Sequence, residues 1–393
     1  MGRHDGNDDM KICHVINNLG NGGAERTVIE LSRVQREAGQ QVRIVTLTAS
    51  PRGSLPALAA REWGLDVVSL GKRRVDPRQL WHLRTATREA DIVHAHLFPA
   101  FYLTGTLSRR RAQLVTEHSP TNRRREIKWT RLAEAIAYGR NDVCVGVSDG
   151  VQESLQQYLA ALGVAVPCVT VENGISLDSY ATGRPAPRGD KSLRIITVGT
   201  LDERKNVSEA ISAVAGVDGV TLTVVGDGPL RSALEEQVRL SSQVDQVQFL
   251  GTRSDVPDLL AKHHCLLSTS RYEGFGLVTV EAMAAHVVVL APDIPGVGQV
   301  VQDGISGILH QAHDLESLRK QIQLMRDDEA RRLRLALAAH ERSRSFSIER
   351  TAAEYLQLYK SILERVPDPR AEGHTHDRPT ARAQRSTWLG RLR

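Results

Sequence analysis

Residues 265–293, CLLSTSRYEGFGLVTVEAMAAHVVVLAPD, change the period of their hydrophobicity twice. The run 265–267 is short and wholly apolar, 277–285 has helical spacing and good helix formers, and 287–290 is again continuously apolar. A strand, loop, helix and strand in that order commit the chain to an α/β layer structure. The loop holds Gly274, Phe275 and Gly276, and it delivers free backbone N–H groups at a helix N-terminus, where the dipole favours an anion such as a phosphate. Glu273 stands in the loop, and Glu281 lies inside the helix about two turns on, at 3.6 residues per turn. Both carboxylates can accept hydrogen bonds from hydroxyls. Hydroxyls beside a phosphate site suggest a nucleotide-sugar. Taken alone, the same string also reads as a buried loop with two solvated glutamates on an ordinary α/β helix.

The alternation runs through the chain. Apolar runs at 11–17, 41–46, 67–70, 91–95, 114–116 and 143–147 are separated by helix-like stretches, and 193–198, 222–225 and 247–250 repeat the pattern. Strands alternating with helices imply parallel sheets covered on both faces, with ligands beyond the carboxyl ends of the strands. That rule singles out His94 and His96 in VHAHLF, His118 in VTEHSP and Ser148 in GVSDG, while Gly226 and Gly228 in GDGPLR give a tight turn its conformational room. The first run leads into LGNGGAER and a helix over about 26–38. Gly20, Gly22 and Gly23 do not fit G-x-G-x-x-G, so a dinucleotide fingerprint is excluded and spacing alone gives a tight turn. Arg204 and Lys205 in GTLDERKN are, on the same basis, a charged turn. No further histidine, cysteine or carboxylate cluster completes a metal site around the VHAH pair, so no metal or other cofactor is expected.

At 393 residues the chain is long enough for two domains. Residues 181–191, ATGRPAPRGDK, supply Pro, Gly and charge without periodicity and read as a linker. The expected division is a flexible N-terminus at 1–9, one domain at 10–180, the linker, a second domain at 192–345, a last helix within 346–365, and a basic disordered tail at 366–393. Residues 315–339 read as helix, and 348–363 (IERTAAEYLQLYKSIL) have a clear amphipathic pattern. The tail holds six arginines against three acids and little periodicity.

No apolar run of about 18 residues is present, and MGRHDGNDDM lacks the apolar core of a secretory signal, so a cytoplasmic location is expected. Cys13, Cys144, Cys168 and Cys265 lie far apart and read as small core residues of a reducing compartment rather than a disulfide framework. Residues 109–131 concentrate Arg109, Arg110, Arg111, Arg123, Arg124, Arg125, Lys128 and Arg131 against Glu117 and Glu126. A solvated helix face explains them, and a peripheral contact with the inner face of a membrane is the functional alternative. Nucleic acid is excluded as a partner, because aromatics are only 4% of the chain and the basic segments carry no recognition motif.

An E-x7-E spacing by itself is unspecific, but EGFGLVTVEAMA is not. With GGAER it resembles the retaining glycosyltransferases of family 4, which have the GT-B fold: two Rossmann-like domains facing across a cleft, with a C-terminal helix crossing back to the first. The resemblance covers about 11–363. It implies that 10–180 bind the acceptor and 192–345 the nucleotide-sugar, that Gly22 and Gly23 face the donor phosphates, and that His118, in TEHS, contacts the donor sugar. It also implies that residues 169–180, VTVENGISLDSY, are the last strand and turn before the domains part. Family members carry Gly-Arg after the first strand of the second domain and a lysine soon after. Here Gly199 and Lys205 match and Thr200 stands in place of the arginine, so either Arg204 supplies the second cation or one lysine and backbone amides hold the diphosphate. Gly226 and Gly228 would lie against the nucleotide, Glu273 would face the donor sugar, Glu281 would bind the ribose, and the amides of Gly274, Phe275, Gly276 and Leu277 would meet phosphate. His286 stands where the family more often has glycine. Lys205, His118 and Glu273 are thus the expected catalytic groups of a retaining transferase that needs no metal, with a UDP-sugar as first donor and a glycan, lipid-linked molecule or small molecule as acceptor. A nucleotide-sugar epimerase or phosphorylase on the same fold, or a non-catalytic nucleotide-sugar binder, are the competing classes.

Overall fold

In the computed structural model, residues 9–71, 78–107, 111–180, 192–241, 243–312 and 314–365 are described. Their strands form two wholly parallel sheets. The first contains β1 (Lys11–Ile16), β2 (Gln41–Thr46), β3 (Asp66–Ser69), β4 (Ile92–His96), β5 (Ala112–Glu117), β6 (Val143–Gly146) and β7 (Cys168–Thr170), in the order β3-β2-β1-β4-β5-β6-β7. Its connections are α1 (Gly23–Glu37), α2 (Leu55–Glu62), α3 (Arg78–Ala86), α4 (Ala100–Thr104), α5 (Arg131–Gly139) and α6 (Asp149–Ala161). The second contains β8 (Leu193–Val198), β9 (Val220–Val225), β10 (Val247–Gly251), β11 (Cys265–Leu267), β12 (Val288–Pro292) and β13 (Ile308–His310), in the order β10-β9-β8-β11-β12-β13. Around it lie α7 (Val207–Val214), α8 (Arg231–Leu240), α9 (Val256–Ala261), α10 (Leu277–Ala284), α11 (Val297–Val300), α12 (Leu315–Asp327) and α13 (Glu329–Ser343). The strand order reverses between β1 and β4 and again between β8 and β11. Those two switch points open crevices at the carboxyl ends of the strands, where α/β sheets bind ligands.

The final helix, α14 (Ile348–Leu363), belongs by packing to the first domain. Its stripe Ile348, Ala352, Tyr355, Tyr359 and Ile362 is buried with Met10, Ile12, Leu31, Ile92 and Leu114. Ser347 caps it, its hydroxyl accepting from Arg350 N at 3.2 Å. Where α14 begins, Ile175 and Ser347 form a parallel bridge. A second core joins Val147, Val151, Ile175 and Tyr180 of the first domain to Phe275, Val280, Met283 and Phe346.

Several expectations need correction. Helix α1 begins at Gly23, with Gly22 as its cap, rather than near residue 26. The helical stretch at 315–339 is two helices, broken at Asp328, whose carboxylate accepts from Arg331 N at 2.8 Å and restarts the chain as α13. The three-residue β13 has no counterpart among the apolar runs expected to be strands. The basic stretch is not a solvated face throughout: Arg124 lies over Phe98 and Phe101 at 4.6 and 4.9 Å and pairs with Glu134 at 3.2 Å, and Arg125 lies over Tyr158 at 5.0 Å. Arg109 and Arg110, residues 1–8, the linker 181–191 and the tail from 366 lie outside the described residues. No helix among the described residues is long and apolar enough to cross a membrane. Cys13, Cys144 and Cys265 are buried, Cys168 is half-buried, and all four are free.

Candidate active site

The second-domain crevice is lined by the loops after β8 and β11. Thr269 Oγ1 donates to the carbonyls of Lys205 (3.2 Å) and Asn206 (3.0 Å), which ties the two loops together. Lys205 Nζ donates to Glu273 Oε1 at 2.5 Å, and Ser270 Oγ donates to the same oxygen at 2.7 Å. Burial pushes the Glu273 pKa up, but the Lys205 charge, the hydrogen bonds from Lys205 and Ser270, and Arg204 outweigh it and hold the carboxyl below its ordinary value. Thr200 is exposed beside them, and the Arg204 guanidinium reaches Asp202 at 3.7 Å. At Gly226 an added Cβ would lie 1.9 Å from Gly199 O, so the β9 turn can approach the β8 turn only as glycine. Gly228 packs in the same way on the Leu201 backbone. The visible role of both is to bring two strand ends together.

The two crevices meet. A Cβ at Gly274 would lie 2.0 Å from His118 O, so the EGFGL loop passes directly under the loop after β5. Ser148 Oγ donates to Gly274 O at 2.6 Å, and Asp149 N donates to Gln299 Oε1 at 3.0 Å. Gly23 faces the Leu277 side chain. Phe275 is buried against Phe346, with ring centroids 5.6 Å apart, so that residue offers its backbone and not its ring. Gly276 caps α10 with φ +83°.

Glu273 and Glu281 are 8% and 3% exposed, which excludes two solvated glutamates. Glu281 Oε1 accepts from Arg26 Nη1 at 2.7 Å, across the cleft from the first turn of α1. Arg26 also donates to Glu30 Oε1 (2.9 Å) and to the Tyr180 hydroxyl (2.7 Å). The Glu281 charge, opposed by burial, holds the Arg26 pKa above its ordinary value.

On the first-domain side, His118 ends a hydrogen-bonded chain that runs through the sheet. Gln35 sets its direction, with Oε1 on His14 Nε2 at 2.8 Å and Nε2 on the Tyr359 hydroxyl at 3.4 Å. His14 therefore donates from Nε2 and accepts at Nδ1 from His96 Nε2 (3.0 Å). His96 Nδ1 in turn accepts from His118 Nε2 (3.3 Å), which leaves His118 Nδ1 unprotonated. In the other arm Tyr359 donates to His94 Nδ1 (2.7 Å), His94 Nε2 to Thr116 Oγ1 (2.7 Å), and Thr116 to the Tyr355 hydroxyl (2.9 Å). Burial pushes the His14 and His118 pKa values down to about 4 and those of His94 and His96 well below the ordinary value, so the rings are neutral.

The expectation that no further histidine joins the VHAH pair is corrected. The β1–β4 register pairs His14 with His94, and His14, His94 and His96 bring ligand atoms within 4.8 Å of one another. Each ring nitrogen of the three already has a hydrogen-bond partner, so the group is built as a polar chain, and a metal ion would have to displace those bonds.

Two family models match this chain in tandem: Glycosyltransferase Family 4 over residues 21–179 and Glycosyl transferases group 1 over residues 184–342. The chain belongs to glycosyltransferase family 4. It is similar to the phosphatidyl-myo-inositol mannosyltransferase of Mycobacterium leprae, with 26% identity over 366 residues, 87% of this chain and 93% of that protein. It is also similar to a Campylobacter jejuni alpha-1,4-N-acetyl-D-galactosaminyltransferase named for a diNAcBac-PP-undecaprenol glycan, with 25% identity over 377 residues, 90% of this chain and 99% of that one. Among solved structures, Anabaena Alr3699/HepE in complex with UDP-glucose matches with a TM-score of 0.79 at 20% identity, covering 90% of this chain and 100% of that one. At that identity the likeness speaks to the GT-B fold alone. In this glycosyltransferase the sequence pointed to His118, Lys205, Glu273 and Glu281, and the structure brings all four to the facing crevices. It did not point to Arg26, Tyr180, Gln35 or His14 as partners of those residues. Arg26 and Tyr180 had a signal, their places in GGAER and in VTVENGISLDSY, and the other two had none.

Proposed function

We propose that this glycosyltransferase moves a hexosyl group from a nucleotide-sugar to an acceptor hydroxyl with retention at the anomeric carbon. The observation that carries this reading is the meeting of the Lys205–Glu273 pair, the α10 N-terminus, Glu281 and His118 across one cleft. The step breaks the bond from the anomeric carbon to the diphosphate oxygen, and the electron pair leaves with the diphosphate. Lys205, Arg204 and the backbone amides at Gly276 and Leu277 meet that developing charge, the largest stabilisation such a step requires. The acceptor oxygen attacks from the same face, and its proton passes to the departing phosphate. Glu273, kept ionised, accepts hydrogen bonds from donor-sugar hydroxyls, Glu281 accepts from the ribose, and the unprotonated His118 Nδ1 accepts one more. Protein cations and amides carry the leaving-group charge in this scheme, so turnover in EDTA is expected to equal turnover without it.

A UDP-sugar is the first donor expected from the family resemblance and GDP-mannose the second, and the name of the mannosyltransferase relative favours a mannosyl donor. The names of both curated relatives point to lipid-carried acceptors. A thermal-shift screen of UDP-glucose, UDP-N-acetylglucosamine and GDP-mannose tests the donor, since a ligand at 100 times its Kd adds about 2.7 kcal/mol to the native state. Proton NMR of the product from the stabilising donor then tests the chemistry. An inverted anomer would overturn retention, and free sugar, epimerised donor or no turnover would move the protein to one of the competing classes.

A further inference from the structure

Helix α5 buries Ala137 and Tyr138 in the ordinary way, but it also buries its acid and exposes two of its largest apolar side chains. Its acidic residue, Glu134, is fully buried, paired with Arg124 and hydrogen-bonded by the Tyr158 hydroxyl, while Leu132 and Ile136 are 73% and 54% exposed. The 3-10 turn before it, Lys128–Thr130, presents Trp129 at 83% exposure, and Ile127 adds 37%. Positions 129, 132 and 136 follow the spacing that puts side chains on one helical face. A surface helix ordinarily turns its apolar stripe to the core and its charges to water. Scattered exposed apolar residues are normal, but a tryptophan, a leucine and two isoleucines on one short segment form a patch that something covers.

The rim of the patch names the partner. Lys128, Arg131 and Arg140 are exposed on the same segment, and Glu126 is the one exposed acid among residues 126–140. A second copy of the chain on this face would set cations against cations. A bilayer with anionic headgroups complements both parts, since tryptophan and aliphatic side chains enter the headgroup boundary while lysine and arginine meet lipid phosphate. We propose that residues 127–140 dock this protein on an anionic lipid bilayer, with Trp129, Leu132 and Ile136 inserted and Lys128, Arg131 and Arg140 around them. The segment continues directly from the loop after β5, whose His118 carbonyl lies against Gly274, so docking brings the cleft mouth to the lipid surface. A lipid-carried acceptor is then delivered to the donor by the geometry of docking. That last consequence rests on the transferase reading above, and the docking itself does not.

The test is co-sedimentation of the full chain with vesicles of phosphatidylcholine alone and of phosphatidylcholine with about one-third phosphatidylglycerol. At least about tenfold stronger binding to the anionic vesicles is expected, weakening as salt rises. Trp129→Ser with Leu132→Ser, and separately Lys128→Glu with Arg131→Glu, are each expected to lower that binding about tenfold or more. All four residues are exposed, so the fold and the nucleotide-sugar thermal shift are expected to stay unchanged. Equal binding to both vesicles, no binding, or undiminished binding by the variants overturns the proposal. So does a dimer, seen by light scattering, that the Trp129→Ser/Leu132→Ser variant abolishes. Vesicle binding without any nucleotide-sugar shift would instead overturn the donor reading and leave docking intact.

Discussion

The first sheet turns His14, His94, His96 and Thr116 into its interior from β1, β4 and β5, whereas the corresponding strands β8, β11 and β12 of the second turn in Ile195, Leu266 and Leu290. Both sheets reverse at the same place in their order and both present loops to the cleft. The second holds its cleft groups by loop contacts above a dry core, with Lys205 and Glu273 holding each other. The first holds His118 from beneath, through a chain that ends in the crossing helix. A dry core leaves its site groups dependent on one another and on little beneath them. A wired core makes the site depend on residues that touch no substrate, and on pH.

The largest expected effect lies on the loop-held side. Lys205→Ala and Glu281→Ala should each lower transfer at least about tenfold, roughly 1.4 kcal/mol or more in transition-state terms, with Glu281→Ala losing donor binding in calorimetry. Near-native turnover in both would sink the proposed roles. Lys205→Ala also strands a buried carboxylate, which typically costs about 3–5 kcal/mol, so Lys205→Met with Glu273→Gln should regain stability in urea melts without regaining activity. If the double variant is no more stable than Lys205→Ala, the two loops are not held by that pair.

Acid separates the domains next. His14 and His118 bind protons near pH 4 when folded and near 6.5 when unfolded. Between those values the unfolded chain binds more protons, so the stabilisation is present above about pH 6.5 and is lost as pH falls towards 4. A loss on the order of a few kcal/mol is expected across that window, seen by hydrogen exchange first in β1, β4 and β5. Uniform loss in both sheets would erase the distinction. His96→Asn, which cuts the chain beside His118, should cost about 1–3 kcal/mol in stability and lower kcat more than it raises KM. The smallest effect is a gain. Thr200→Arg, at an exposed loop position, should tighten nucleotide-sugar binding roughly three- to tenfold by adding a cation for the diphosphate.

Much of this architecture was legible because it is periodic. The strands Leu193–Val198 and Cys265–Leu267 and the helix Ile348–Leu363 appear in the structure at the bounds their hydrophobicity implied. Motif strings carried Glu273, Glu281, Lys205 and His118. What stayed hidden depends on register and distant contact. His14 meets His96 only because parallel pairing brings β1 beside β4, and no local pattern carries that information. Arg26 reaches Glu281 across 255 positions. Arg124 sits in a run of arginines that reads as solvated, and three aromatic rings and a buried acid draw it inward. His286 shows the reverse case, where structure explains an oddity of sequence: its φ is +57°, a conformation glycine adopts without strain, and stacking on His340 at 3.7 Å accompanies it.

The return of α14 to the first domain has a mechanical consequence. The chain returns from the second domain at Phe346–Ser347, where Ile175 of the first domain bridges Ser347 and a Cβ at Gly174 would lie 2.3 Å from Ser347 O. Beyond that point α14 buries its apolar stripe in the first domain, so the C-terminal end of the second domain is clasped to the first by packing as well as by the chain. A protease cut within 181–191 should therefore leave the halves eluting as one particle, still joined through α14.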